Sequence, residues 1–209
     1  MSFVGSMWHL GHDPESGDFE WWEYHGPHLV KRWWKRRVAA LTYMLAGDGD
    51  TVLILGCGSS PSINRYVNDN VVVGVDHNPA KLRFLAPRTS ATLLRGDITQ
   101  PLAIPHSLPQ KYDRIICNEA LEHLPPGGVE IAVKTMCGRL GEKGRVVISI
   151  PDESHSKVGG IVERVLHGDI HKPITMEKIR LLMGDKGLVE VGTKNHLWVR
   201  VSCFTKHSS

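Results

Sequence analysis

The stretch "VLILGCGSSP", Val52 to Pro61, decides how the rest of the chain is read. Four apolar residues run straight into Gly56, and Gly58 follows after one intervening residue, Cys57. An unbroken apolar run is the mark of a strand buried on both faces. Glycine at its end lets the backbone turn sharply and approach a ligand closely. A second run, "VVVGVD", ends on Asp76. In doubly wound folds an acid in that place accepts hydrogen bonds from ribose hydroxyls. A dinucleotide fingerprint calls for a further glycine where this chain has Pro61, which turns the reading away from a pyrophosphate.

Working outward, the same rhythm repeats. "TVLIL", "VVVGVD", "ATLLRGD", "YDRIICN" and "GRVVISI" are short β-rich runs, and helix-compatible segments such as "NPAKLRFLAPR" and "GGVEIAVKTMCGRL" separate most of them. Three prolines in "ITQPLAIPHSLPQK" argue against a long helix between the third and fourth runs. Near the C-terminus "ITMEKIRLLMGDKG" reads as a helix, and "LVEVGT" and "LWVRVSCF" as two strands close enough to pair as a hairpin. The pattern predicts a Rossmann-like, doubly wound α/β fold. Its seven-stranded sheet is mostly parallel and ends in an antiparallel C-terminal hairpin.

Residues 1–26 are polar and aromatic without a clear period. From Pro27 to about Ala46 the spacing is helical, stopping at "GDGD". Val30, Trp33, Trp34, Val38, Leu41 and Leu45 fall on one side, and Lys31, Arg32, Lys35 and Arg36 on the other. This predicts an amphipathic helix whose basic face is solvated, with contact to an anionic surface through those four cations as its functional alternative. The expected organisation is an N-terminal covering segment (1–46) and a single domain (47–209). That domain divides into a ligand-binding half (47–151) and an acceptor-side insert with the hairpin (152–209).

A net charge of +3 is too mild to imply a nucleic-acid partner. No apolar run reaches membrane-spanning length and the start lacks a signal-peptide layout, so a cytoplasmic location is expected. Cys57, Cys117, Cys137 and Cys203 form no CxxC pair and read as small packed residues. The pairs His9/His12 and His25/His28 share no inferable scaffold, so no metal is assigned.

Asp97 ends the third run in "LLRGDIT", and "NEALEHL" (Asn118 to Leu124) follows the fourth. With these in place the chain resembles the class I S-adenosylmethionine-dependent methyltransferases, particularly their small-molecule "type 11"-like branch, over roughly Asp50 to Pro151. The resemblance implies S-adenosylmethionine as cofactor and S-adenosylhomocysteine as product. It implies that Gly56, Cys57, Gly58 and Ser59 line the methionine part, Asp76 and His77 the ribose, and Asp97 and Ile98 the adenine. Asn118 and Glu119 would lie under the sulfonium.

The family's acid two residues before the first glycine is replaced by Ile54, and a frequent third glycine by Ser60. The acidic N-terminal segment (Asp18, Glu20, Glu23) is therefore expected to fold over the cofactor and supply a partner for its ammonium. His123 and Glu122 are the first candidates for a general base, ahead of His155 and His171. The expected acceptor is a small molecule or lipid-like compound. RNA or protein methylation, and cofactor binding without turnover, are the alternatives. The absence of an "NPPY"-type motif after the fourth run lowers the nucleic-acid option.

Overall fold

The computed structural model describes residues 16–68, 70–151, 174–197 and 199–207. Seven strands form one sheet: β1 (Thr51–Leu55), β2 (Val71–Asp76), β3 (Thr92–Arg95), β4 (Tyr112–Asn118), β5 (Leu140–Pro151), β6 (Leu188–His196) and β7 (Val199–Lys206). Their order is β3-β2-β1-β4-β5-β7-β6. The first five run parallel, and β7 lies antiparallel between β5 and β6. The predicted sheet and hairpin are both present. The sequence direction of connection reverses at β1, so the carboxyl ends of β1, β2 and β4 surround the crevice where such sheets bind ligands.

Strand alternation divides the core in two. Leu53, Leu55, Val73, Val75, Ile115, Cys117, Val146 and Ile148 face α4 (Gly128–Arg139) and α5 (Met176–Gly184), with Met136, Ile179 and Met183 filling that side. Val52, Ile54, Val72, Ile116, Val147 and Val201 face the other way, towards α2 (Leu29–Ala46). Because each run is apolar on both faces, both layers can be covered by helices. A further helix, α3 (Pro79–Leu85), is capped by Asn78, whose side chain accepts from the amides of Ala80 and Lys81.

Several elements differ from expectation. The aromatic N-terminal stretch forms α1 (Phe19–His25), which no periodicity announced. Its early amides are capped from a distance: Ser59 Oγ accepts from the amides of Glu20 and Trp21 at 3.1 and 3.3 Å. Helix α2 starts at Leu29, not Pro27, and ends at Gly47 as the glycine predicts. The glycine turn leads only into a 3-10 segment, Pro61–Arg65, and "LEH" (Leu121–His123) is likewise one 3-10 turn.

The largest correction concerns which way α2 faces. Lys31 and Lys35 point inward with Trp34, Val38 and Leu41, whereas Val30 and Trp33 are exposed. The expected basic face through Lys31, Arg32, Lys35 and Arg36 is therefore split. The reason is electrostatic: buried Glu23 binds Lys31 Nζ at 2.7 Å and Lys35 Nζ at 3.2 Å, giving both lysines an inward partner.

Candidate functional site

The centre of the site is the turn after β1. Gly56 and Gly58 both have positive φ (69° and 52°), which side chains rarely tolerate. The amides of Gly56 and Cys57 donate to the Val75 carbonyl, tying the turn to β2. A Cβ on Gly56 would lie 2.7 Å from the Ala120 side chain, so the turn and the segment after β4 are in close approach. Cys57 turns its thiol into the core beside Gly74, leaving only its backbone for a ligand.

Asp76 is buried at the end of β2, and each of its oxygens accepts one backbone amide: Gly58 to Oδ2 and Asn78 to Oδ1, both at 2.8 Å. Asn78 caps α3, so Asp76 is not spent as the helix cap. A carboxylate offers about four acceptor sites, and these two bonds leave capacity for hydroxyl donors. His77 is exposed beside it. Asp97 is exposed at the end of β3 and close enough for His77 to act on its charge. Bonds from the Thr99 hydroxyl and amide hold the Asp97 carboxyl below its usual range. Ile98 packs into the core, so its side chain is committed to the interior.

At the end of β4, Asn118 is held by Thr42 on α2 and Ser149 on β5, each donating a hydroxyl to its Oδ1 at 3.1 Å. Glu119 adopts φ 47°, an unusual conformation for a non-glycine residue. Its carboxylate binds Lys35 Nζ at 3.1 Å. Lys35 thus links Glu119 to Glu23 and also lies over the Trp34 ring at 4.7 Å. Burial works against the Lys35 charge, but Glu119 and Glu23 outweigh it and raise its pKa. Burial likewise works against the Glu23 carboxylate, and the two lysines overcome it, so its pKa is lowered.

Above the turn lies α1. The Glu20 carboxylate accepts from both the amide and hydroxyl of Ser59, at 3.0 and 2.7 Å, and pairs with Lys81 at 2.5 Å. It stands where a side chain on Gly58 would be. Ser59 is therefore engaged by the covering helix rather than presented to a ligand. The expected acidic cover exists, but its members divide: Glu20 reaches the turn, Glu23 is locked to lysines, and Asp18 bonds Ser16. Ile54 packs under α2 in the core.

The base candidates separate as well. Glu122 is buried, close enough for its charge to act on Cys117, while His123 is exposed. His155 and His171, like His9 and His12, lie outside the described residues. His25 and His28 pack against Trp21 and Trp22. A separate groove of about 350 Å³ between α4 and α5, lined by residues such as Ile131, Lys134 and Leu182, contains none of the strand-end residues.

Neither a protein-family model nor a curated protein sequence matches the chain. Solved structures do. Magnesium protoporphyrin IX methyltransferase from Synechocystis PCC 6803, with bound S-adenosylhomocysteine, is 20% identical at a TM-score of 0.68, over 91% of this chain and 94% of that one. The N-methyltransferase NodS from Bradyrhizobium japonicum WM9, also with S-adenosylhomocysteine, is 15% identical at 0.69, over 99% and 100%. A TehB-like methyltransferase from Corynebacterium glutamicum is 18% identical at 0.61, over 85% and 96%.

The fold is that of the class I S-adenosylmethionine-dependent methyltransferases. On this class I fold sequence reasoning missed Lys81, Thr42 and Ser149, and it placed Lys35 on an outward face. Each acts through a partner distant in sequence; Lys35 and Glu119 are 84 positions apart. No local pattern carries that information.

Proposed function

We propose that the chain is an S-adenosylmethionine-dependent methyltransferase acting on a small-molecule or lipid-like acceptor. The observation that carries this reading is Asp76: a buried carboxylate at the β2 end, keyed to the Gly58 amide, in a sheet of this strand order. The methyltransferases among the structural neighbours support it. When bound, the cofactor supplies the methyl group on its sulfonium.

The chain's residues bind and orient it. Asp76 accepts from the ribose hydroxyls, with His77 at the rim. Asp97, whose charged form the Thr99 bonds favour, accepts from the adenine amine, and Ile98 contributes backbone. The Gly56–Gly58 backbone lies along the methionine part. Glu119 and Lys35 offer a carboxylate and an ammonium at the β4 end, opposite charges suited to a zwitterion. Glu119 thereby takes the role left open by Ile54. Helix α1, pinned by Glu20 on Ser59 and Lys81, excludes water from the turn, which strengthens each of these contacts.

Isothermal titration with S-adenosylhomocysteine tests the cofactor. Binding by wild type, weakened at least tenfold by Asp76→Ala, is expected, since a charged hydrogen-bonding group is removed. Equal affinity would sink the assignment. Glu20→Gln and Glu23→Gln should each weaken binding by opening the cover; if both bind as wild type does, the cover plays no part. The Glu20–Ser59 clasp over Gly58 favours a second reading, a cofactor-binding module without turnover. Turnover against metabolite, lipid and RNA pools separates the two.

A further inference from the structure

With Lys31 and Lys35 turned inward, the outer face of α2 carries a different set of side chains. Leu29, Val30 and Trp33 are 66%, 71% and 55% exposed, and Leu29 and Val30 both neighbour Trp33 on the helix surface because they precede it by four and three residues. The same face continues through Arg36 and Arg37, both exposed, with Arg32 at its flank. Trp33 meets the hairpin edge-on: its ring centroid is 4.8 Å from that of His196, and Leu197 beyond it is 51% exposed. Arg37 is near enough for its charge to bear on His196, and Arg36 and Arg32 bear on His25. The apolar ridge is thus flanked by arginines on both sides.

Among the described residues, none of those on α2 or on the hairpin after Glu190 is acidic. The sequence has no Asp or Glu between residues 24 and 47, nor from residue 191 to the last residue given. The acids of α1 that lie nearest, Glu20 and Glu23, are bonded to Ser59 and Lys81 and to the two inward lysines. A ridge of tryptophan and aliphatic side chains flanked by arginines and histidines suits the headgroup zone of an anionic bilayer. There apolar groups enter the acyl boundary and cations meet lipid phosphates. A nucleic acid would use the arginines but leave Leu29, Val30 and Leu197 in water. Position matters too. The turn after β6 lies beside Pro151, since Val199 pairs with it, and so sits at the carboxyl ends of the parallel strands, with Gly56, Asp76 and Glu119.

We propose that this ridge docks the protein on an anionic lipid surface, with Leu29, Val30, Trp33 and Leu197 inserted and Arg32, Arg36 and Arg37 on the headgroups. Docking in this orientation brings the strand-end site to the membrane, so the acceptor is a lipophilic compound carried by the bilayer. The second clause rests on the methyltransferase reading; the docking itself does not.

The test is co-sedimentation of the full chain with phosphatidylcholine vesicles, with and without phosphatidylglycerol, at low and high salt. Binding to the anionic vesicles alone, weakened by salt, is expected. The pair Arg36→Gln and Arg37→Gln should lower it by roughly tenfold or more, and Trp33→Ser by a similar factor. Thermal midpoints and S-adenosylhomocysteine titration of each variant should stay at wild-type values. Should Trp33→Ser fail to fold, the arginine pair still decides the matter. No sedimentation with anionic vesicles at low salt overturns the proposal, as does sedimentation that neither variant changes. Tighter binding to RNA than to vesicles at equal salt, or a dimer that Trp33→Ser dissolves, overturns it in favour of those partners. The titration reads the cofactor site without vesicles, so loss of that reading is distinguishable from loss of docking.

Discussion

The turn at Gly56–Gly58 and the helix segment Lys31–Arg37 lie at the same end of the sheet, yet different physics builds them. The turn is specified locally. Two positive-φ glycines and a strand-end acid are enough to place it, and Asp76 then locks it through the Gly58 amide. The helix segment is specified from a distance. Its period fixes which residues share a face, but the face that turns inward is chosen by Glu23 and Glu119. Backbone constraint can be read from neighbours in sequence. Charge pairing cannot, because a lysine carries the same local pattern whether or not a carboxylate waits beneath it.

The strongest way to break the comparison is at the turn. Gly56→Val imposes a β-branched side chain at φ 69° and places its Cβ against Ala120. A destabilisation of roughly 2–4 kcal/mol is expected, with S-adenosylhomocysteine binding lost even in protein that remains folded. Denaturant unfolding and titration report these separately. A variant that folds and binds normally would show that the turn is not built on backbone constraint.

This contrast explains how far the sequence could be read. The five parallel strands and the hairpin were legible because each is a dense apolar run bounded by breakers, and β2 and β4 have the predicted bounds. Asp76, Asp97 and Glu119 were legible as strand-end acids. Helix α1 was not, since its capping group is Ser59, on another element. The facing of α2 was misread because tryptophans and lysines alternate along it, and hydrophobicity alone buries Trp33 and exposes Lys35. The bond between Ser59 and Glu20 was not legible either, for the two residues are 39 positions apart.

A second test sharpens the distant half of the comparison. Lys35→Met removes the cation shared by Glu119 and Glu23. Breaking a buried pair by deleting one partner costs about 3–5 kcal/mol. Lys35 is 18% and Glu119 16% exposed, so a value near the lower end, about 3 kcal/mol, is expected. Adding Glu119→Gln should recover part of that loss, because it removes one stranded carboxylate. Non-additivity measured in a double-mutant cycle is the readout. Additive losses would mean that the three groups do not form a unit.

The smallest effect is the acid response of the same cluster. Glu23 has a folded-state pKa below its ordinary 4.5, so it binds its proton less readily in the folded chain than in the unfolded one. Its contribution to stability is therefore complete above about 4.5 and fades as pH falls through the lower folded value. Lys35 is shifted upward, so its contribution persists throughout this window and would be lost only in strong alkali. Lowering the pH should then release α1 from α2, a smaller loss than deleting the lysine. Amide exchange in Phe19–His25 should rise below pH 4.5 before the sheet amides respond. Glu23→Gln should show the raised exchange already at neutral pH and abolish its acid dependence. If exchange in α1 and in the sheet rises together, the cluster does not hold the cover independently of the core, and local and distant specification are not separable in this fold.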